Sequence, residues 1–198
     1  MNLSQSQRIG VFALLALLLA ATRISHFALI PDASWAVFFI AGFYLRGSLR
    51  WALPVLFVLA VLVDFAVITS QGLNFWSHYC VSPAYWLLLP SYMALGAGGA
   101  WASTQYRGIG ARTLGALTAA LLVSFSVCFV LSNGSYYWLS DSVAAPSMAG
   151  WGKNLGDWYL PFLRGTAMYV ALAAVVHVVV AKLSGHAAVT PGQALHRG

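Results

Sequence analysis

The sequence predicts an all-α membrane protein with six transmembrane helices, and three observations carry that expectation. Hydrophobic residues make up 61% of the 198-residue chain and charged residues only 7%, against roughly 25% charged in an ordinary soluble domain. Such a chain cannot clothe its outside in polar groups, so its outside must face lipid. The apolar runs are continuous, whereas a transmembrane barrel alternates apolar and polar residues in segments of about ten. At about 20 residues per span, the length accommodates five to seven helices. No polar linker divides the chain, so residues 1–183 read as a single six-helix transmembrane domain and Ser184–Gly198 as a flexible polar tail.

Met1–Gln7 is a polar lead and Arg8–Thr22 the first span. The residues ending it, Ala21, Thr22 and Arg23, make a poor leader-peptidase site, so it reads as a retained span. Ala13, Ala16 and Ala20 share one face of it, either for internal packing or as a docking strip for a membrane partner. Ser25–Asp32 is a turn closed by Pro31, and Ala33–Leu45 is an apolar run short for a full crossing. After a basic turn (Arg46, Gly47, Arg50), Trp51–Ser70 is the third span. Gln71–Trp86 is an aromatic loop, and the fourth span runs from Pro83 to about Thr104 with a kink expected at Pro90. Thr113–Leu131 is the fifth span and Trp158–Leu183 the sixth. Between them Ser132–Asp157 reads as the longest connection, long enough to suggest a lid or binding role.

Six spans put both termini on one side. That side then receives Arg8, Arg46, Arg50, Arg107, Arg112, Lys182 and Arg197, and the other side Arg23, Lys153 and Arg164. The excess of basic residues marks the cytoplasmic side, so both termini are expected in the cytoplasm, with the loops around Cys80 and Tyr136 together on the outer face of the membrane. The formal charge of +6 comes from scattered single residues. No basic run lines up for a phosphate backbone, so nucleic acid is not an expected partner; the lipid bilayer is.

Cys80 is the first candidate for chemistry. It stands in the stretch QGLNFWSHYCVSPAYW among Phe75, Trp76, Tyr79, Tyr85 and Trp86. A thiolate there is a soft ligand for a transition metal; the plainer reading is a buried apolar cysteine among aromatics. His78 and Cys80 lack the further ligands of a zinc site, so no independent metal site is expected. One protein ligand suffices only for a metal that arrives in its own macrocycle. Tyr136, Tyr137 and Trp138, beside Asn133 and Gly134, offer flat faces and polar groups to a large ligand fringed with amides. Asp64 lies roughly 9 Å inside the outer end of its span. At such a depth it is either functional or, as favoured here, paired with Arg23 or Arg164. His177, within the sixth span, reads as a hydrogen-bonded helix contact. No ATPase motif is present.

Together, six short spans, the alanine strip, two outer binding loops and the cysteine in HYCVSPAYW resemble the substrate-binding S-components of energy-coupling-factor (ECF) vitamin transporters. More narrowly, the chain is similar to the BtuM-type cobalamin transporters, small solitary S-component-like proteins. The resemblance covers about Arg8 to Leu183. It implies vitamin uptake, with cobalamin as the transported ligand bound from outside and Cys80 as the axial cobalt ligand in place of the nucleotide base. It also implies decyanation of cyanocobalamin through Cys80, since a thiolate donor weakens the opposite axial bond and the corrin carries the hard chemistry. Pocket walls are expected from Trp76, Tyr79, Tyr85, Tyr136, Tyr137 and Trp138, with Asn133 bonding a side-chain amide. An ECF coupling module, a transmembrane coupling protein with its ATPases, would dock on Ala13, Ala16 and Ala20. A membrane enzyme acting on a corrinoid or haem, and a structural membrane subunit, are the alternatives.

Overall fold

Eleven residues, Ser34–Tyr44, form the shortest of the long helices and the centre of the fold. This helix, α2, has nothing polar after Ser34 except its last residue, and Ser34 through Gly42 are all buried. The structure, a computed structural model, describes residues 3–24, 31–78 and 81–187, with side chains to Leu183. Among these residues it is all-helical. Around α2 stand α1 (Gln5–Ile24), α3 (Leu49–Ser70), α5 (Leu88–Gln105), α6 (Ala111–Leu139) and α7 (Met148–Ala187), while α4 (Pro83–Trp86) is a single turn. Four helical segments, Gln5–Ile24, Arg46–Ser70, Ala111–Leu139 and Met148–Leu183, are long and apolar enough to cross a membrane. Large apolar side chains such as Leu14, Leu17, Val58, Leu62, Val123, Val176 and Val180 point outward, as a lipid-facing surface requires.

The α2–α5 contact sets how tightly the bundle closes. A Cβ on Gly42 would run into the Gly96 carbonyl oxygen, and one on Gly99 into the Phe39 carbonyl oxygen. The two backbones therefore touch, which only glycine permits; small residues play this role between membrane helices. Phe38 stacks on Tyr92 beside this contact, with ring centroids 4.3 Å apart.

The long helices alternate in sense between two ends. The basal end holds Arg8 of α1 beside Gly47, and Tyr44 and Tyr106 against His177 of α7. The apical end holds Arg23, Ser34, Asp64, Tyr85 and Tyr92. Trp35, at the start of α2, meets Phe129 of α6 at 6.2 Å and Phe162 of α7 at 5.2 Å. The α6 residues beyond Phe129 and the α7 residues before Phe162 thus rise above α2, by roughly 15–20 Å at 1.5 Å per residue.

Several expected boundaries move. The segment 132–157 is mostly helical: α6 runs through Tyr136, Tyr137 and Trp138 to Leu139, and α7 begins at Met148, ten residues before Trp158. Asn-Gly-Ser at 133–135 reads as a turn, yet the helix continues because the Trp151 ring lies 3.3 Å from where a Gly134 Cβ would stand. That packing between α6 and α7 outweighs glycine's helix cost of roughly 1 kcal/mol. Likewise the fourth apolar run is not one kinked helix. It breaks at Leu87, between α4 and α5, three residues before Pro90, whose lack of an N–H leaves the Trp86 carbonyl without its helical donor. At the C-terminus, α7 passes Leu183 and continues to Ala187, inside the stretch expected as tail; residues 188–198 lie outside the described residues.

Candidate functional site

Cys80 and Tyr79 lie outside the described residues, but both flanks of their segment are described. On one side, α3 ends in a turn at Gln71–Gly72, and Asn74 starts a short 3-10 turn (Phe75–Ser77) by accepting the Trp76 N–H at 2.9 Å. Phe75 is buried there, 5.4 Å from Phe65 of α3 and 6.3 Å from Tyr85. On the other side, Ser82–Pro83 opens α4, proline being suited to a helix's first position. The Val81 N–H donates to the His78 carbonyl at 2.8 Å, so the two described ends flanking Tyr79 and Cys80 stand one hydrogen bond apart. α4 then packs against both α5 and α6. The chain on either side of Cys80 is thereby pinned to the apical end.

Beneath this loop lies a buried polar cluster. The Arg23 guanidinium, 5% exposed, donates to both Asp64 carboxylate oxygens, at 2.6 and 2.7 Å. Its remaining nitrogen reaches Ser34 Oγ at 2.9 Å, Asp32 at 3.3 Å and the Tyr92 hydroxyl at 3.4 Å. Asp64 also accepts the Tyr85 hydroxyl at 2.6 Å, and Asp32 accepts both the N–H and the hydroxyl of Ser34. One guanidinium so joins α1, α2, α3 and α5, and Asp64 adds α4. Of the two partners expected for Asp64, Arg23 takes the position and Arg164 does not. A carboxylate in an apolar bundle persists only with such partners.

The expected pocket residues fall into two groups. Trp76, at 70% exposed, and Tyr136 and Trp138, each 39% exposed, present free ring surface. Tyr85 and Tyr137 are buried, and their hydroxyls are already engaged, Tyr85 with Asp64 and Tyr137 with the Ser147 N–H at 3.2 Å. Asn133 Nδ2 donates to Asn154 Oδ1 at 2.6 Å. Its own Oδ1 is buried without a partner, as are Ser82 Oγ, Ser140 Oγ and Trp151 Nε1. All four of these orphaned polar atoms belong to the apical segments: the start of α4, the upper part of α6 with the residue after it, and the first turn of α7. A buried polar atom without a partner costs roughly 1–3 kcal/mol. Sequence reasoning singled out Asn133 but missed Ser82, Ser140 and Trp151, which carry no motif.

Among the described residues, four cavities lie elsewhere. One of about 270 Å³ lies among Phe39, Phe43, Leu117 and Val170 near His177, and another of about 390 Å³ lies between the small residues of α5 and α6. Two more lie at the basal end. None of the four is lined by residues 71–86 or 133–151. His177 is the expected helix contact, its Nδ1 2.9 Å from the Tyr44 hydroxyl and its Nε2 2.9 Å from that of Tyr106. On α1, Ala13 is exposed, while Ala16 packs against the core and Ala20 is half-buried; the alanine strip is turned partly inward. Cys128 is buried and free.

Compared with protein-family models, the chain matches none, and no curated protein is similar enough to count as a relative.

Proposed function

We propose that this chain is a membrane transporter of the S-component type that binds cobalamin at its apical end and moves it inward, with the Cys80 thiolate as axial ligand to cobalt. Six helices then cross the inner membrane, both termini are cytoplasmic, and the apical end faces outward. The observation that carries this reading is a convergence. The chain flanking Cys80 is pinned through Phe75, Tyr85 and α4 to the same end that holds the exposed rings of Trp76, Tyr136 and Trp138 and four orphaned polar atoms. A corrinoid has the matching chemistry: a flat macrocycle for the exposed rings and a metal open to a soft donor. Tyr79 joins these walls in the proposal, while Tyr85, Tyr137 and Asn133 support them from behind. Docking of an ECF coupling module would use the α1 face around Ala13. Decyanation of cyanocobalamin is the enzymatic extension of the same sulfur–cobalt bond.

The test is the visible spectrum of the purified protein with added cobalamin, compared with that of Cys80→Ala. Ligation predicts a displaced corrin spectrum in the parent that the variant lacks; identical spectra refute it. Growth of a cobalamin-requiring cell separates transport from the membrane-enzyme reading, because an enzyme acting on a corrinoid or haem would not rescue uptake.

A further inference from the structure

At the opposite, basal end two cavities share a wall. The smaller, of about 170 Å³, is lined by Arg8, Arg46, Gly47, Tyr44 and Ser103. The larger, of about 620 Å³, is a groove between α1 and α3 lined by Ile9, Phe12, Trp51, Ala52 and Val55, and it shares Leu3 and Arg8 with the first. One arginine thus stands at the junction of a polar pocket and an apolar trough. Arg50 lies 5.8 Å over the exposed Trp51 ring on the same rim.

Arg8 and Arg46 are both exposed, and among the described residues neither is in an ion pair. The chain has four acidic side chains, Asp32, Asp64, Asp141 and Asp157. The first two belong to the Arg23 cluster, and the others lie in the α6–α7 connection and the upper part of α7. No acidic side chain of this chain is therefore at hand for the basal arginines, which leaves them open to an external anion. Two arginines line one small pocket, and their guanidinium forks fit the tetrahedral oxygens of a phosphate. An apolar groove continuing from that pocket along two membrane helices fits an alkyl chain. A tryptophan at the rim fits the level of lipid headgroups.

We propose that an anionic phospholipid binds here, its phosphate between Arg8 and Arg46 and one acyl chain in the α1–α3 groove. Basic pockets between membrane helices hold lipid headgroups in this manner. The occupant bridges α1 to the turn between α2 and α3. This site is independent of the apical proposal and of its ligand.

The test measures thermal unfolding of the full chain in neutral detergent with added phosphatidylglycerol, phosphatidylcholine or inorganic phosphate. The expected result is a rise in midpoint of about 3 °C or more with phosphatidylglycerol alone. Arg8→Gln/Arg46→Gln should abolish it, and Val55→Trp, which fills the groove and leaves the charges in place, should weaken it. Arg107→Gln/Arg112→Gln, with the same loss of charge at the same end, should retain it. Equal stabilisation by phosphatidylcholine, equal stabilisation by free phosphate, or equal loss in both arginine pairs would each overturn the proposal. The first two outcomes are read on the parent protein, so they stand even where a variant does not fold.

Discussion

Arg23 and Asp64 meet through two parallel hydrogen bonds, Nε to Oδ1 at 2.6 Å and Nη2 to Oδ2 at 2.7 Å, between two largely apolar helices. A fork gripping a carboxylate in this way fixes direction as well as distance. Removing one partner leaves the other charge buried, at a cost of about 3–5 kcal/mol. Asp64→Asn is therefore expected to lower the thermal midpoint in detergent sharply, and Arg23→Met/Asp64→Leu to recover only part of the loss, because Asp32 also loses its arginine. A midpoint for Asp64→Asn equal to the parent's would show that the pair contributes nothing to stability.

Tyr85 carries the next prediction, because it links this pair to the chain just after Cys80. Its hydroxyl donates to Asp64 at 2.6 Å while its ring packs 6.3 Å from Phe75, which lies just before Cys80. Tyr85→Phe keeps the ring and removes a hydrogen bond to a charged acceptor, worth about 1.5–3 kcal/mol. We expect a moderate loss of stability together with weaker cobalamin binding, the displaced corrin spectrum surviving at saturation. Loss of the spectral shift itself would place Tyr85 against the ligand and not behind it.

The sequence made some of this legible, and physical reasons divide what it did from what it did not. Asp64 stood out because an acid inside an apolar run needs a partner, and so few basic residues flank the outer span ends that the choice narrowed to Arg23 or Arg164. His177 was legible for the same reason: a lone polar ring in an apolar helix must be hydrogen-bonded. The extent of α6 was not. Asn133–Gly134–Ser135 has the local chemistry of a turn, and only Trp151, on another helix, tips it towards helix. The engaged hydroxyls of Tyr85 and Tyr137 were hidden too, since an aromatic bonded to a buried acid and one facing a ligand look alike in sequence. The Arg8–Arg46 pocket was read only as charge at a membrane end, because its shape depends on how α1 meets the turn before α3.

Gly99 tests the centre of the bundle. Its Cα faces the Phe39 carbonyl so closely that an added methyl cannot fit without moving α2 away from α5. Backbone atoms do not swing aside as a flexible side chain would, so Gly99→Ala should cost at least the roughly 1–3 kcal/mol of ordinary overpacking. Gly115→Ala is the matched control. Nothing lies near its Cβ position, and there the substitution should be neutral or stabilise by up to about 1 kcal/mol. Thermal midpoints of the two variants, measured side by side, check the contrast, and equal midpoints would refute the tight α2–α5 contact.

His177 joins the basal ends of three elements, and its chemistry makes the last prediction specific. A neutral imidazole donates from one nitrogen and accepts at the other, so one of the Tyr44 and Tyr106 hydroxyls donates to it and the other accepts, each at 2.9 Å. His177→Phe preserves the ring but forfeits both bonds, at about 0.5–1.5 kcal/mol each. The three groups are in direct contact, so their effects should not add. Once His177 is phenylalanine, Tyr44→Phe should cost measurably less than it does in the parent, with a coupling of about 0.5 kcal/mol or more. Unfolding of the parent, the two single variants and the double variant gives that coupling directly, and strict additivity would mean that the tyrosines pack beside the imidazole without bonding to it.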